Sequence, residues 1–142
     1  MPTRTAQAQW NGDLRGGGGR MRFGSGAFDG AYSFDSRFGD GKGTNPEELI
    51  AAAHAGCFSM ATAAALTRAG YPPKYIDTNA TLTIEQKPEG YRITSIALDT
   101  KAEVPGIDEA QFKAIVDEAK RTCPVSVALA SVNITLTAAL KR

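Results

Sequence analysis

From residue 78 to residue 84 the chain alternates, with Thr78, Ala80, Leu82 and Ile84 set against Asn79, Thr81 and Thr83. That two-residue period predicts a half-buried strand. Lys87-Pro88-Glu89-Gly90 reads as a turn, and residues 91–103 return as a partner strand. The apolar phase slips between Tyr91/Ile93 and Ile96/Leu98, which predicts a β-bulge near Thr94-Ser95. Val132, Ile134, Leu136, Ala138 and Leu140 repeat the alternation in a closing strand. Near the N-terminus the pattern is weaker. Residues 5–14, with Ala6, Ala8 and Trp10 on one side, suggest a first strand; Met21 and Phe23 a second; residues 31–34 a third. Arg15 and Arg20 flank four glycines, a run too flexible to hold an element and read as a hairpin loop rather than a nucleic-acid tail.

The period changes after Asn45. Asn45 suits an N-cap, Pro46 the first helical position, and Glu48 completes a capping-box pattern. Leu49, Ile50, Ala53, Cys57, Met60, Ala61 and Ala64 follow at three- and four-residue steps until Gly70 and Pro72-Pro73 stop the helix. Alanine and glycine crowd it, so another helix backbone could approach closely. Pro105-Gly106 breaks the chain again. Asp108 then caps a helix with an apolar stripe of Phe112, Ile115, Val116 and Ala119, and Pro124 opens a further short helix reaching about residue 130. The order β-β-β-α-β-β-α-α-β, joined largely by hairpins, predicts an α+β fold with mainly antiparallel sheet, in one domain spanning 1–142.

Composition narrows the function. Sixteen Lys plus Arg against 15 Asp plus Glu leave no footprint for nucleic acid or an anionic membrane. No apolar run has signal-peptide length, and none approaches 18 uninterrupted residues, so no bilayer span and a cytoplasmic location are expected. In a reducing compartment Cys57 and Cys123 are either buried and inert or working thiols. Only a thiolate is a useful nucleophile, and an ordinary thiol needs positive charge beside it to ionise near neutral pH. Cys57 sits about three turns into its helix, where the N-terminal dipole has faded. Arg37, which keeps its charge, is the candidate cation, with Glu47 upstream of the cysteine. Cys123, beside Pro124 at a helix start, gains thiolate character from the dipole. Taken singly, Arg37 would be a surface arginine and Glu47 a first-turn acid. His54, the sole histidine, reads as a helix-facing hydrogen-bonding residue; no second ligand set suggests a metal. Asp40-Gly41-Lys42-Gly43 lacks the spacing of a phosphate loop.

Several stretches together resemble the OsmC family, which includes osmotically inducible protein C and the organic hydroperoxide resistance proteins. They are Arg37-Phe38, Lys42 through Ile50, Ala52 through Ala61 with Cys57 inside, Val104 through Asp108, and Cys123-Pro124-Val125-Ser126. They look closer to OsmC proper. The resemblance implies a cytoplasmic, cysteine-based peroxidase for hydroperoxides, built as an intertwined homodimer without metal, flavin or haem. By motif position Cys57 corresponds to the peroxide-attacking cysteine and Cys123 to the resolving one. Arg37 corresponds to the arginine that holds the thiolate, and Glu47 to the acid that positions it. An external dithiol, lipoyl or thioredoxin-like, would reduce the resulting disulfide. A non-catalytic binding protein, using an apolar pocket of the dimer and keeping its cysteines for packing, is the competing reading.

Helix geometry adds a constraint. Glu47 and Cys57 are ten residues apart, about 15 Å of helical rise, and on different faces. If Glu47 serves the thiolate, it serves that of a second, antiparallel copy, which predicts an obligate homodimer.

Overall fold

The computed structural model describes residues 1–141. Its elements run β1 (Ala6–Asn11), β2 (Gly18–Phe23), β3 (Asp29–Tyr32), α1 (Phe34–Phe38), α2 (Pro46–Arg68), β4 (Tyr75–Lys87), β5 (Gly90–Glu103), α3 (Glu109–Thr122), α4 (Pro124–Ala128) and β6 (Asn133–Lys141). They form two compact units, Met1–Leu49 and the chain from Ile50 onward.

In the first unit β1, β2 and β3 make an antiparallel sheet, with Ala6 opposite Phe23 and Gly19 opposite Tyr32. The glycine run is not all loop: Gly18 and Gly19 belong to β2. A Cβ on Gly19 would meet the Tyr32 ring at 2.6 Å and the Trp10 ring at 2.9 Å. Glycine there lets the two rings lie 5.4 Å apart, tilted, over the strand. The third strand also ends earlier than its pattern suggests. Ser33 leaves it as an N-cap: its hydroxyl accepts from the Ser36 N–H, and the Ser36 hydroxyl accepts from the Ser33 N–H. This reciprocal cap starts α1, a helix the strand reading of residues 31–34 overran. Ser36 then donates to the Thr44 carbonyl at 2.7 Å, and Asn45 donates its amide to the Ser36 carbonyl. Gly43, at φ +117°, has its Cβ position 2.6 Å from the Ala31 carbonyl oxygen, which receives the Thr44 N–H. The start of α2 is thereby tied to α1. Asn45 caps α2 as expected, accepting from the Glu48 N–H, while the Glu48 carboxylate turns instead to the Thr44 hydroxyl.

In the second unit β4 and β5 are long antiparallel partners, from Tyr75 opposite Glu103 to Lys87 opposite Gly90. Thr83 pairs with Ser95 and Ile84 with Ile93, so Thr94 is the extra residue of the expected bulge. β6 lies parallel to β5, Ser95 opposite Asn133, because α3 and α4 carry the chain back across the sheet first. Ile96, Leu98, Thr100 and Ala102 of β5 face inward at every second position. Phe112, Val116 and Ala119 of α3 close over them, with Asp108 capping that helix through the Gln111 N–H.

The buried stripe of α2 differs from the one periodicity selects. It is His54, Phe58, Thr62 and Leu66, each four residues on, whereas Met60 is 77% exposed. Apolar residues surround this alanine-rich helix, so spacing alone gives no preferred face. Its core side is set by the two large side chains, Phe58 and Leu66, which sit among Ile96, Leu98 and Phe112. Ser59 adds a polar tie, donating to Thr78, which in turn bonds Thr100. By length and composition α2 is the one described helix able to cross a membrane, although no uninterrupted apolar run reveals it in the sequence.

Candidate active site

Cys57 lies in the middle of α2, half-buried, and Cys123 is fully buried at the joint between α3 and α4. The joint is a sharp one. The Cys123 N–H still closes α3 on the Ala119 carbonyl, but its φ of −53° and ψ of 125° end that helix, and Pro124 begins the next. The two sulfurs stand 2.9 Å apart and are not bonded to each other. A separation of 66 residues along the chain has closed to van der Waals contact and less, as a resolving step requires.

Their surroundings differ. Burial pushes the Cys57 thiol up, the neighbouring Cys123 thiol pushes it further, and the Val125 N–H only partly compensates. Burial also works against ionisation of Cys123. There it is outweighed by the Cys57 thiol, by the N–H and hydroxyl of Ser126 and by the Val125 N–H, so its pKa falls below the ordinary thiol value. No closed capping hydrogen bond is needed for this: the first N–H groups of α4 aim their dipoles at the sulfur. Within one chain, Cys123 is therefore the more acidic thiol and Cys57 the more accessible one.

Below the pair lies His54, completely buried one turn before Cys57. Its Nε2 is 2.7 Å from Ser126 Oγ, and its Nδ1 has no hydrogen-bond partner among the described residues. Burial lowers its pKa, keeping the ring neutral. The helix-facing hydrogen bond expected for His54 is present. Sequence reasoning missed its partner, although Ser126 sits at the third position of the helix that Cys123 caps, where a side chain turns back toward the cap.

The other two candidate residues meet in the first unit. Arg37, on α1, donates Nε–H to one Glu47 carboxylate oxygen at 2.9 Å and an Nη2–H to the other at 2.7 Å. This fork-on-fork geometry fixes the guanidinium plane and raises the Arg37 pKa further, chiefly through that hydrogen bond. The guanidinium also lies over the Phe38 ring, 5.1 Å from its centre. Arg37 borders a cavity of about 210 Å³ walled by Trp10, Leu14, Tyr32, Phe34 and Phe38. A larger hollow of about 580 Å³, along α3 and β6 beside Lys113 and Asp117, contains none of the candidate residues.

Two free thiols in contact, one accessible and one buried under helix N–H groups, form a dithiol that can cycle to a disulfide on an α+β scaffold. Comparison with known proteins assigns the chain more narrowly. Residues 39–137 match the OsmC-like protein family. The chain is 47% identical to the peroxiredoxin OsmC of Escherichia coli (strain K12), over 95% of its own length and 94% of that protein's. It is 36% identical to an organic hydroperoxide resistance protein of Xanthomonas axonopodis pv. citri, over 70% of this chain and 69% of that one. Among solved structures, an OsmC-like protein from Mycoplasma pneumoniae superimposes with a TM-score of 0.79 over 99% of both chains, at 17% identity, a likeness of fold. The protein belongs to the OsmC family.

Proposed function

We propose that this protein is a cysteine-based peroxidase that removes hydroperoxides in stress defence, with Cys57 as the attacking sulfur and Cys123 as the resolving one. The observation that carries this reading is the contact of the two sulfurs at 2.9 Å, with Cys57 partly open and Cys123 closed off. Packing alone does not call for two reduced thiols in register. The Cys57 thiolate attacks the O–O bond of ROOH, forming Cys57–SOH and releasing the alkoxide, which takes a proton to leave as alcohol. The Cys123 thiolate then attacks the sulfenic sulfur; the S–S bond forms, and hydroxide leaves as water after taking a proton. An external dithiol, lipoyl or thioredoxin-like, regenerates both thiols by exchange. The aromatic walls beside Arg37 favour an organic hydroperoxide over hydrogen peroxide.

Cys57 needs a cation, because within one chain its pKa is raised. Glu47 lies in the first turn of α2 and Cys57 about 15 Å further along the same helix. The Arg37–Glu47 pair therefore serves the Cys57 of a second copy, whose α2 packs antiparallel on this one. An obligate homodimer would also cover the faces of α2 that the single chain leaves open; only one four-residue-spaced stripe of this long apolar helix is buried. The same association would protect β1–β3, a sheet with no buried residue of its own. An apolar helix buried in this way has no need of a bilayer, and a cytoplasmic location is in keeping with the reading.

Mixed dimers test the arrangement. A Cys57→Ser protein, inactive alone, and a Glu47→Gln protein, slowed about tenfold or more, should gain activity when their subunits exchange, since one site then holds Cys57 from one chain and Glu47 from the other. Absence of complementation in a verified heterodimer would show that the site is not shared.

A further inference from the structure

Among the described residues His54 is the one fully buried titratable side chain that the peroxidase cycle leaves without a task. Its ring bonds nothing described except Ser126, through Nε2. A buried N–H without a partner is rarer and costlier than a buried lone pair without one. The ring proton therefore sits on Nε2, donated to Ser126 Oγ, and the bare lone pair on Nδ1. Ser126 Oγ is thus an acceptor toward His54, which directs its own hydrogen elsewhere. Cys123, the cap residue of α4, lies three residues earlier, and the Ser126 hydroxyl is among the groups that stabilise its thiolate. In α1 the equivalent serine, Ser36, uses its oxygen to accept from the N–H of its cap residue. In α4 that role is closed, because the Cys123 N–H is already bound to the Ala119 carbonyl.

The geometry points to His54 as a positioning residue for the resolving cysteine: by donating to Ser126 Oγ it turns the serine hydroxyl toward the Cys123 sulfur and holds that sulfur as a thiolate facing Cys57. The inference rests on the assignment of Cys123 as the resolving thiol. The direction of the Cys123 shift, downward with the Ser126 hydroxyl among its causes, agrees with it. His54 exchanges no proton with the reacting sulfurs. When the S–S bond closes, the electron pair of the Cys123 thiolate forms it, the Cys57–OH bond breaks, and hydroxide leaves to be protonated by solvent. The task of His54 ends with the orientation of one hydroxyl.

The test separates this step from the first. In a Cys57→Ser background, which needs no peroxide, the ultraviolet absorbance of the Cys123 thiolate is titrated for His54, His54→Leu and His54→Gln. Glutamine can place an amide N–H near the position of Nε2, and leucine cannot. The Cys123 midpoint should move up with leucine and return with glutamine. In proteins that keep both cysteines, stopped-flow mixing with one equivalent of cumene hydroperoxide should give an unchanged rate of sulfenic acid formation. Disulfide closure should slow about tenfold in His54→Leu, the effect of one lost hydrogen bond, and recover in His54→Gln. Ser126→Ala should slow closure equally, and adding His54→Leu to it should cost nothing more. An unmoved Cys123 midpoint in His54→Leu, equal slowing by leucine and glutamine, or additive effects with Ser126→Ala would each overturn the inference. Should His54→Leu fail to fold, the Ser126→Ala and His54→Gln measurements still decide: an unmoved midpoint in Ser126→Ala contradicts it. Loss of the first rate in these variants would place His54 at the attacking step and overturn the inference as well, whereas sulfenic acid formation in a Cys57→Ser protein would count against the Cys57 assignment on which it rests.

Discussion

Arg37 and Glu47 hold each other by two parallel hydrogen bonds, 2.9 and 2.7 Å, across the short loop that joins α1 to α2. Ten residues separate them in sequence, and the serine and asparagine caps on either side determine that they meet. The glutamate thereby fixes the plane of the guanidinium through its Nε and Nη2 edge.

Because the Arg37 side chain is 37% exposed, this pair is a poor source of stability, worth under about 1 kcal/mol. With the pair supporting the Cys57 thiolate as proposed, Arg37→Ala and Glu47→Gln should leave the melting temperature almost unchanged while peroxide reduction falls by about tenfold or more, the scale of one lost charged hydrogen bond. Arg37→Lys should not rescue, since an ammonium cannot make the bidentate contact. Calorimetry beside a peroxidase assay checks this; unfolding that accompanies the activity loss would contradict it.

Disulfide closure should follow the ionisation of Cys123. Its pKa lies below the ordinary thiol value of 9.0, so its anion persists to lower pH than that of a free cysteine. The closing rate should thus be steady above that depressed pKa and fall as acid passes through it. On stability the two thiols oppose each other. The depressed Cys123 adds stability above the unfolded thiol pKa, and the raised Cys57 withdraws it as pH rises through its own folded value. Rapid-mixing measurements of closure against pH test the first statement, and a closing rate that falls off only in the range of a free thiol would contradict it.

His54 gives acid sensitivity to the fold. Burial lowers its pKa from 6.5, so folding favours the neutral ring. The stability it contributes is present above pH 6.5 and is lost as pH falls from there toward the depressed folded value. Denaturant midpoints should drop over that window in the natural protein and less so in His54→Gln. Identical pH profiles for the two would contradict this.

Much of the architecture was legible because the second unit obeys simple periods. The alternation of 78–84, the phase slip at Thr94 and the cap at Asp108 each correspond to a structural feature. The resemblance marked Cys57 and Cys123, and the structure brings their sulfurs together. Legibility failed where the deciding force is not periodic. α1 follows from the side-chain cap of Ser33 on Ser36, a local bond that overrides strand pattern. The buried stripe of α2 includes polar His54 and Thr62 and omits Met60, because a helix apolar all round takes its orientation from the shapes it packs against. The partner of His54, 72 residues away, follows from tertiary packing alone.

Gly43 offers a mechanical test of how Arg37 is placed. Its φ of +117° and the 2.6 Å approach of its Cβ position to the Ala31 carbonyl forbid a side chain. Gly43→Ala should cost about 1–3 kcal/mol of stability and, by loosening the start of α2, reduce peroxidase activity as well. An alanine protein with natural stability, read by denaturant titration, would show that this loop does not depend on the glycine.

The central claim is that Cys57 and Cys123 of one chain complete a disulfide after Cys57 meets peroxide. Its most direct test is the intact mass of the protein after one equivalent of an organic hydroperoxide, without reductant. The natural protein should lose two hydrogens and remain a single chain on denaturing, non-reducing electrophoresis; Cys123→Ser should gain one oxygen, and Cys57→Ser should stay unchanged. An unmodified natural protein, or a disulfide that links two chains, would contradict the account.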